Sequence, residues 1–294
     1  MSITACLRRL GALLLGLALT LPTLATEPLR VISIDGSVTE IIYALGQQQT
    51  LVAVDSTSRC PQAAQQLPQV GYMRQLAVEG ILSLQPDLVL ASHDAGPDSV
   101  FAQLQAAGVR IVRTPGEYSL DGVLAKIASV ASALGVEAAG EQLQLQVREQ
   151  TQAALARLPD ASAGPVPAAL FLLGAGNRGL MAAGDGTQAA AMLALAGARN
   201  TVAYEGYKPL SPEGALQAAP DVVILAHTGN EPAGVIESSL AMTPAAHQNR
   251  IFAVDVSLTL GFGPRLGEAL NLLIDRIWYP QQLPYADRHA SSRF

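Results

Sequence analysis

Cysteine is almost absent from this chain: Cys6 and Cys60 are its only two cysteines. Cys6 precedes an apolar stretch that is typical of an export leader, so a processed chain keeps one cysteine and cannot form an internal disulfide. Charged residues are also scarce, at 14%, and acids outnumber bases by 24 to 18. No basic run occurs, which argues against nucleic acid as a partner.

Aromatic residues make up only 4% of the chain, whereas hydrophobic residues make up 50%. This balance favours Ala/Leu/Val-rich α/β packing over a β-sandwich. We find no G-x-S-x-G elbow and expect no dinucleotide-binding loop after a strand, so an exported α/β enzyme is only a remote alternative. Histidines number four. A zinc or manganese site needs about four converging N/O ligands, and the sequence indicates one only weakly.

The first residues have the pattern of a secretory signal. Arg8 and Arg9 supply the positive start, residues 10–21 form an apolar run that is too short to span a bilayer, and small residues at 23–25 suit cleavage. We therefore predict a signal peptide over residues 1–25 and a mature protein in the periplasm, with no membrane insertion after cleavage. A retained membrane anchor is the less favoured alternative. Cleavage removes two arginines and no acid, which moves the net charge from -6 to -8.

One segment occurs twice. Residues 79–93 read EGILSLQPDLVLASH, and residues 213–227 read EGALQAAPDVVILAH. A short stretch with a tyrosine precedes each copy, at Tyr72 and at Tyr207. Two similar copies far apart in one chain predict two similar lobes, and the function is expected in the cleft between them.

The rest of the chain alternates between strand-like and helix-like segments, which predicts a parallel sheet in each half. The predicted strands are residues 30–34, 87–91, 109–112, 168–173, 221–226 and 250–254, and the predicted helices are 38–45, 119–134, 137–158 and 188–196. The helix at 137–158 is long enough, at about 33 Å, to join the lobes and to limit their relative motion. We predict an N-terminal lobe over residues 26–135, a bridging helix over 136–159 and a C-terminal lobe over 160–294.

These features together resemble the periplasmic substrate-binding proteins of ABC importers for iron chelates, haem and cobalamin. The resemblance covers residues 29–279, and segments 70–76 (VGYMRQL) and 260–265 (LGFGPR) are similar to the haem-binding branch. It implies two Rossmann-like α/β lobes with parallel sheets and a single bridging helix. It also implies a non-enzymatic, monomeric protein that carries haem to an inner-membrane ABC permease dimer. A ferric siderophore or cobalamin is the alternative cargo.

The resemblance assigns the haem iron ligand to Tyr72. A phenol ordinarily keeps its proton until about pH 10, so a neighbouring cation such as Arg74 would help the phenolate form. Tyrosine is an established axial haem ligand. Tyr207 holds the related place in the second lobe and is expected to support or stack on the cargo rather than bind the iron.

Further residues are expected to support the cleft. His93 and His227 each follow a strand, where ligands bind in open α/β sheets, although both could instead hydrogen-bond within local turns. Arg178 and Arg265 are candidates for haem propionates, since arginine pairs well with carboxylates, although both could instead be ordinary surface cations. Some haem-binding relatives place a second ligand histidine in the loop at 174–178, and its absence here favours one five-coordinate haem.

Glu79 and Glu213 open the two copies of the repeated segment. The resemblance implies that one glutamate on the outer face of each lobe meets an arginine on each permease subunit, and such pairs set docking register and association rate. Acids near helix N-termini are also stabilised by the helix dipole. Both roles are compatible with the repeat.

Overall fold

The computed structural model describes residues 28–160, 164–174, 179–227 and 240–283. The predicted signal peptide, residues 1–25, lies outside the described residues, so its cleavage stays a prediction. Among the described residues, no helix combines the length and the apolar character that crossing a membrane requires.

The first lobe is built on a four-stranded parallel sheet in the order β2-β1-β3-β4. Its strands are β1 (Val31–Ile34), β2 (Leu51–Val54), β3 (Leu88–Ala91) and β4 (Arg110–Arg113), and its helices are α1 (Gly36–Ala44), α2 (Val78–Leu82), α3 (Asp98–Ala106) and α4 (Leu120–Leu134). β1 and β3 are fully buried, as expected for central strands covered on both faces. The predicted parallel sheet is confirmed for this lobe.

The second lobe carries a six-stranded sheet in the order β10-β9-β5-β6-β8, with β7 pairing to β5. Its strands are β5 (Ala168–Gly174), β6 (Leu180–Ala183), β7 (Arg199–Asn200), β8 (Tyr207–Pro209), β9 (Val222–His227) and β10 (Ile251–Asp255). The helices are α6 (Gln188–Leu195), α7 (Pro212–Ala218), α8 (Pro244–His247), α9 (Val256–Leu260) and α10 (Leu266–Trp278).

This second sheet is mixed, and the prediction of a parallel sheet in each half was wrong for it. β6 runs antiparallel to both β5 and β8. Neither β6 nor β8 was predicted, because neither has a counterpart in the repeated pattern. Residues 174–179 (GAGNRG) do have the glycine spacing of a dinucleotide-binding loop, contrary to the expectation above. Residues 175–178 lie outside the described residues, and the described element that follows them is strand β6 rather than the helix at whose N-terminus a pyrophosphate binds.

A single helix, α5 (Glu137–Leu155), joins the two lobes and packs against α4 on one side and α10 on the other. The contact with α10 is close because Gly267 faces the α5 backbone: a Cβ at this position would lie 2.8 Å from the carbonyl carbon of Gln150. The structure therefore confirms the predicted bridging helix, three residues shorter at its end than the sequence indicated. The exact lobe boundaries stay a prediction.

The two copies of the repeated segment have the same local structure. In each copy the residue directly before the proline has a positive φ, 47° at Gln85 and 42° at Ala219. Asp87 Oδ2 then accepts a hydrogen bond from the Arg30 amide, and Asp221 Oδ2 accepts one from the Ala168 amide, both at 2.8 Å. The Pro-Asp pair thus fixes the start of the neighbouring central strand in each lobe.

Candidate functional site: the cleft between the lobes

A cavity of about 1000 Å³ lies between the lobes, at the upper end of the range for small-molecule sites. The first lobe contributes the loops after β1 and β2 and the segment around Tyr72. The second lobe contributes the end of β5, strands β6 and β8, and α9. The lining side chains that bear charge or can hydrogen-bond through a ring or amide group are Asp35, Arg59, Tyr72, Arg74, Gln188 and Tyr207.

The segment that carries Tyr72 is anchored to the core of the first lobe. Met73 is buried in the core of the first lobe, and its backbone carbonyl accepts a hydrogen bond from Gly96. Because Met73 points inward, the residues on either side of it, Tyr72 and Arg74, face the cavity. Tyr72 is 44% exposed, so its phenol is accessible to a ligand in the cavity. The predicted ligand and its predicted neighbour therefore do lie together in the cleft.

Asp94, in the loop after β3, connects several polar groups beside this segment. Its Oδ2 accepts hydrogen bonds from the Tyr118 hydroxyl at 2.8 Å and from Gln188 Nε2 at 3.0 Å. Its Oδ1 lies 3.6 Å from Arg74 Nη2 and 3.5 Å from His93 Nε2. Gln188 belongs to the second lobe, so this carboxylate joins the two sides of the cleft. Burial, followed by the hydrogen bond to Asp94, raises the pKa of Tyr118 well above its ordinary range.

The base of the cleft holds buried charges that cross between the lobes. Lys126 on α4 is 7% exposed and donates to Ser37 Oγ and to the Phe262 carbonyl, each at 2.9 Å. Burial lowers the pKa of Lys126. Next to it, Arg265 donates two hydrogen bonds to Glu40, Nε to Oε2 at 2.8 Å and Nη2 to Oε1 at 2.6 Å.

Arg265 was expected to meet a haem propionate, and the structure places it elsewhere. Its guanidinium is occupied by Glu40, and it does not line the main cavity. The hydrogen bonds to Glu40 raise the pKa of Arg265. Burial raises the pKa of Glu40 despite this partner. This geometry fits a role in joining the lobes. Arg178, the other propionate candidate, lies outside the described residues.

Tyr207 lies across the cavity from the first lobe and is half-buried beside α6. Burial raises the pKa of its hydroxyl. Tyr72 is thus exposed and Tyr207 is half-buried, although both precede the same repeated segment. The two tyrosines therefore differ in exposure, and which of them serves as a ligand stays a prediction.

The two histidines differ as well. His93 is exposed, packs against Gly116 and lies 5.7 Å from the Tyr118 ring between ring centroids. It lines an open groove next to the main cavity rather than the cavity itself. His227 ends β9 opposite Asp255 of β10, and it too is absent from the cavity wall. Among the described residues, no group of three or more metal-binding side chains comes together.

Glu79 and Glu213 both lie in the first turn of a short exposed helix, α2 and α7 respectively. Hydrogen bonds to its own backbone amide and to Ser211 lower the pKa of Glu213. Both carboxylates are exposed at equivalent places in the two lobes, as the repeat predicted. Their role in docking is not tested by this geometry and stays a prediction.

A comparison with known protein families decides the class of this protein. Residues 31–258 match the family described as periplasmic binding protein. The chain belongs to this family. Its members are substrate-binding components of ABC transporters and not enzymes, so the prediction of a non-enzymatic binding protein is confirmed.

The solved structures and the curated relative that this binding protein resembles are named for two kinds of cargo. The periplasmic heme-binding protein RhuT from Roseiflexus sp. RS-1, in apo form, is 41% identical with a TM-score of 0.78, over 85% of this chain and 98% of that chain. The periplasmic heme-binding protein BhuT in complex with two hemes is 38% identical with a TM-score of 0.77, over 84% and 97%. The vitamin B12-binding protein of Yersinia pestis (strain Pestoides F) is 32% identical over 76% of this chain and 78% of its own length.

Sequence reasoning about this binding protein missed the polar residues that link its lobes. Asp94, Tyr118, Gln188, Lys126 and Glu40 were not predicted as site residues. Their partners are distant in the chain, 89 residues apart for Lys126 and Ser37 and 225 for Arg265 and Glu40. A signal was present for Lys126 only: it is one of two lysines in the chain and interrupts the apolar face of a helix.

Proposed function

We propose that this protein binds ferric haem in the cleft and delivers it to an ABC permease of the inner membrane. The observation that carries the proposal is Tyr72, an exposed phenol on the cavity wall beside the cation Arg74. An anionic oxygen donor suits ferric iron, and a nearby guanidinium favours the anion. The two haem-binding structures at 38% and 41% identity support the same cargo.

The site also suits the shape and charge of a porphyrin. The cavity contains apolar side chains from both lobes, among them Leu173, Met181 and Leu260, which can pack against the faces of a flat aromatic ring. Arg59 and Arg74 line the same cavity and are the described arginines best placed to meet carboxylates. We therefore propose Arg59 rather than Arg265 as a partner of a propionate, because Arg59 lines the cavity and Arg265 does not.

Cobalamin is the second candidate, and the Yersinia relative is the observation that favours it. A titration of the purified mature protein with hemin and, separately, with cyanocobalamin distinguishes the two. We expect hemin to give the absorption spectrum of high-spin ferric haem with a tyrosine ligand, complete at one equivalent. Tighter binding of cyanocobalamin would contradict the proposal, and a second equivalent of bound hemin would contradict the single haem predicted from the sequence.

The decisive variant is Tyr72→Phe, which removes only the phenolic oxygen. We expect it to lose the tyrosinate spectrum and to bind hemin at least about tenfold more weakly, because the axial iron–phenolate bond is lost. The matched control is Tyr207→Phe, the same change at the related place in the second lobe. The control should keep the tyrosinate spectrum, and its loss there instead would transfer the ligand role to Tyr207.

A further inference from the structure

Asp94 is held by donors from two lobes. Tyr118 and Gln188 both donate to its Oδ2, at 2.8 Å and 3.0 Å. Burial, together with this hydrogen bond, keeps the Tyr118 hydroxyl protonated and therefore a donor. Gln188 is the first residue of α6 in the second lobe. With one oxygen fixed by two neutral donors, the orientation of the carboxylate is determined.

The other oxygen of Asp94 faces the cation next to the proposed ligand. Arg74 Nη2 is 3.6 Å from Oδ1, and half of the Arg74 side chain is exposed. His93 Nε2 lies at a similar distance, 3.5 Å, and the buried Lys126 also interacts with Asp94 electrostatically. The contact with Arg74 is longer than a hydrogen bond. It restrains the direction of the guanidinium without saturating its donors.

We propose that Asp94 is a positioning residue: its carboxylate, oriented by Tyr118 and by Gln188 of the opposite lobe, holds Arg74 beside Tyr72. The inference rests on the proposed function, in which Tyr72 binds the iron. It also assigns a role to the second lobe. Gln188 belongs to that lobe, and its hydrogen bond to Asp94 forms only while the two lobes face each other as they do here. An arginine has many rotamers, and restraining them in advance reduces the entropy lost on binding.

The variant that tests the proposal is Asp94→Asn, which keeps an acceptor for Tyr118 and Gln188 but removes the charge that faces Arg74. We expect haem to dissociate up to about fivefold faster to an excess of an apo-globin acceptor, in keeping with the loss of one partly exposed ion-pair contact. The matched control is Asp98→Asn. Asp98 lies in the same groove but pairs with Arg113 instead, and its substitution should leave the dissociation rate unchanged.

A double-mutant cycle separates positioning from general destabilisation. If Asp94 acts through Arg74, Asp94→Asn adds nothing to the dissociation rate when Arg74 is already alanine. An equal acceleration in both backgrounds would overturn the proposal. So would a slower dissociation in Asp94→Asn, which would mean that the carboxylate mainly neutralises the arginine.

A second measurement needs no haem, so its failure is distinct from a failure of the proposed function. In the ligand-free protein, ¹⁵N relaxation of the Arg74 Nε–H group, assigned by its loss in Arg74→Lys, should report a restrained side chain. Asp94→Asn should make this group mobile, and Gln188→Ala should do so in part. Unchanged relaxation in Asp94→Asn would contradict the proposed positioning even if haem binds through Tyr72.

Discussion

The buried ion pair between Glu40 and Arg265 shows how a residue can be important without touching cargo. Glu40 is 9% exposed, and burial raises the pKa of its carboxyl from 4.5. The guanidinium of Arg265 makes two hydrogen bonds to it across the lobes. A pair of this kind adds little net stability compared with apolar side chains, but removal of one partner leaves a buried charge without compensation.

We therefore predict that Arg265→Met lowers the free energy of unfolding by about 3 to 5 kcal/mol at neutral pH. The folded-state pKa of Glu40 lies above its unfolded-state pKa. The contribution of this carboxyl to stability therefore falls as the pH rises from the unfolded-state pKa to the folded-state pKa. Loss of Arg265 raises the folded-state pKa of Glu40 further, because the hydrogen bonds and the positive charge of Arg265 lower this pKa, and the pH interval then extends to higher pH. Urea unfolding of the variant should therefore show a smaller deficit at about pH 5 than at about pH 8.

The exposed pair of Asp98 and Arg113 provides the comparison, since Asp98 is 86% exposed. Asp98→Asn should change the unfolding free energy by less than about 1 kcal/mol. A deficit for Arg265→Met no larger than this, or one that does not depend on pH, would mean that water reaches Glu40.

At the scale of single residues, the sequence indicates cleft residues that lie in one short motif, and it does not indicate those that only folding brings together. Tyr72 and Arg74 are two positions apart, so one segment of the chain carries both. Asp94 and Gln188 are 94 residues apart, and no local pattern marks either residue. The role expected for Arg265 illustrates the same difficulty, because its partner Glu40 could not be found without the fold.

Among the elements, the strands that start after the Pro-Asp pairs are the most instructive. Asp87 and Asp221 each cap the start of a neighbouring strand through a backbone amide. A hydrogen bond to a charged acceptor is worth about 1.5 to 3 kcal/mol. The repeated proline and aspartate thus have a structural function in both lobes that is independent of any cargo.

We predict that Asp221→Ala and Asp87→Ala each lower the unfolding free energy by about 1 to 3 kcal/mol. Denaturant unfolding followed by circular dichroism measures this, and Asp160→Ala, a change at an exposed position, serves as the control. If either variant is as stable as the control, the two copies do not share the structural role that their geometry implies.

The repeat predicted the elements that both lobes share. The predicted strands and the bridging helix have apolar or periodic patterns, and the structure contains them within a few residues. The buried strand β2 was not predicted. β6 and β8 have no counterpart in the repeat. β8 has three residues, one of them a proline, so neither its length nor its composition indicates a strand. The mixed character of the second sheet follows from these two strands alone.

At the scale of the molecule, the exposed glutamates at equivalent places suit a partner with two similar subunits. We predict that Glu79→Lys and Glu213→Lys each slow association with the cognate permease by about tenfold at low salt and leave haem binding unchanged. Stimulation of ATPase activity of the permease in lipid nanodiscs, at several concentrations of binding protein, is the measurement.

Glu149→Lys is the matched charge reversal, on the exposed side of the bridging helix α5. An equal effect of this control would indicate a general dependence on net charge rather than docking at the two glutamates. An effect of Glu79→Lys alone would argue against symmetric engagement of the lobes.

The buried charges at the base of the cleft have a mechanical consequence. Rotation of one lobe away from the other would pull Arg265 from Glu40 and would separate Lys126 from the Phe262 carbonyl. Each separation would leave an ionised group with fewer partners in a site with little access to water, and the work required is of the order of several kcal/mol. Thermal motion alone would supply this work only rarely. In a transport cycle, we expect docking on the permease to supply part of this work.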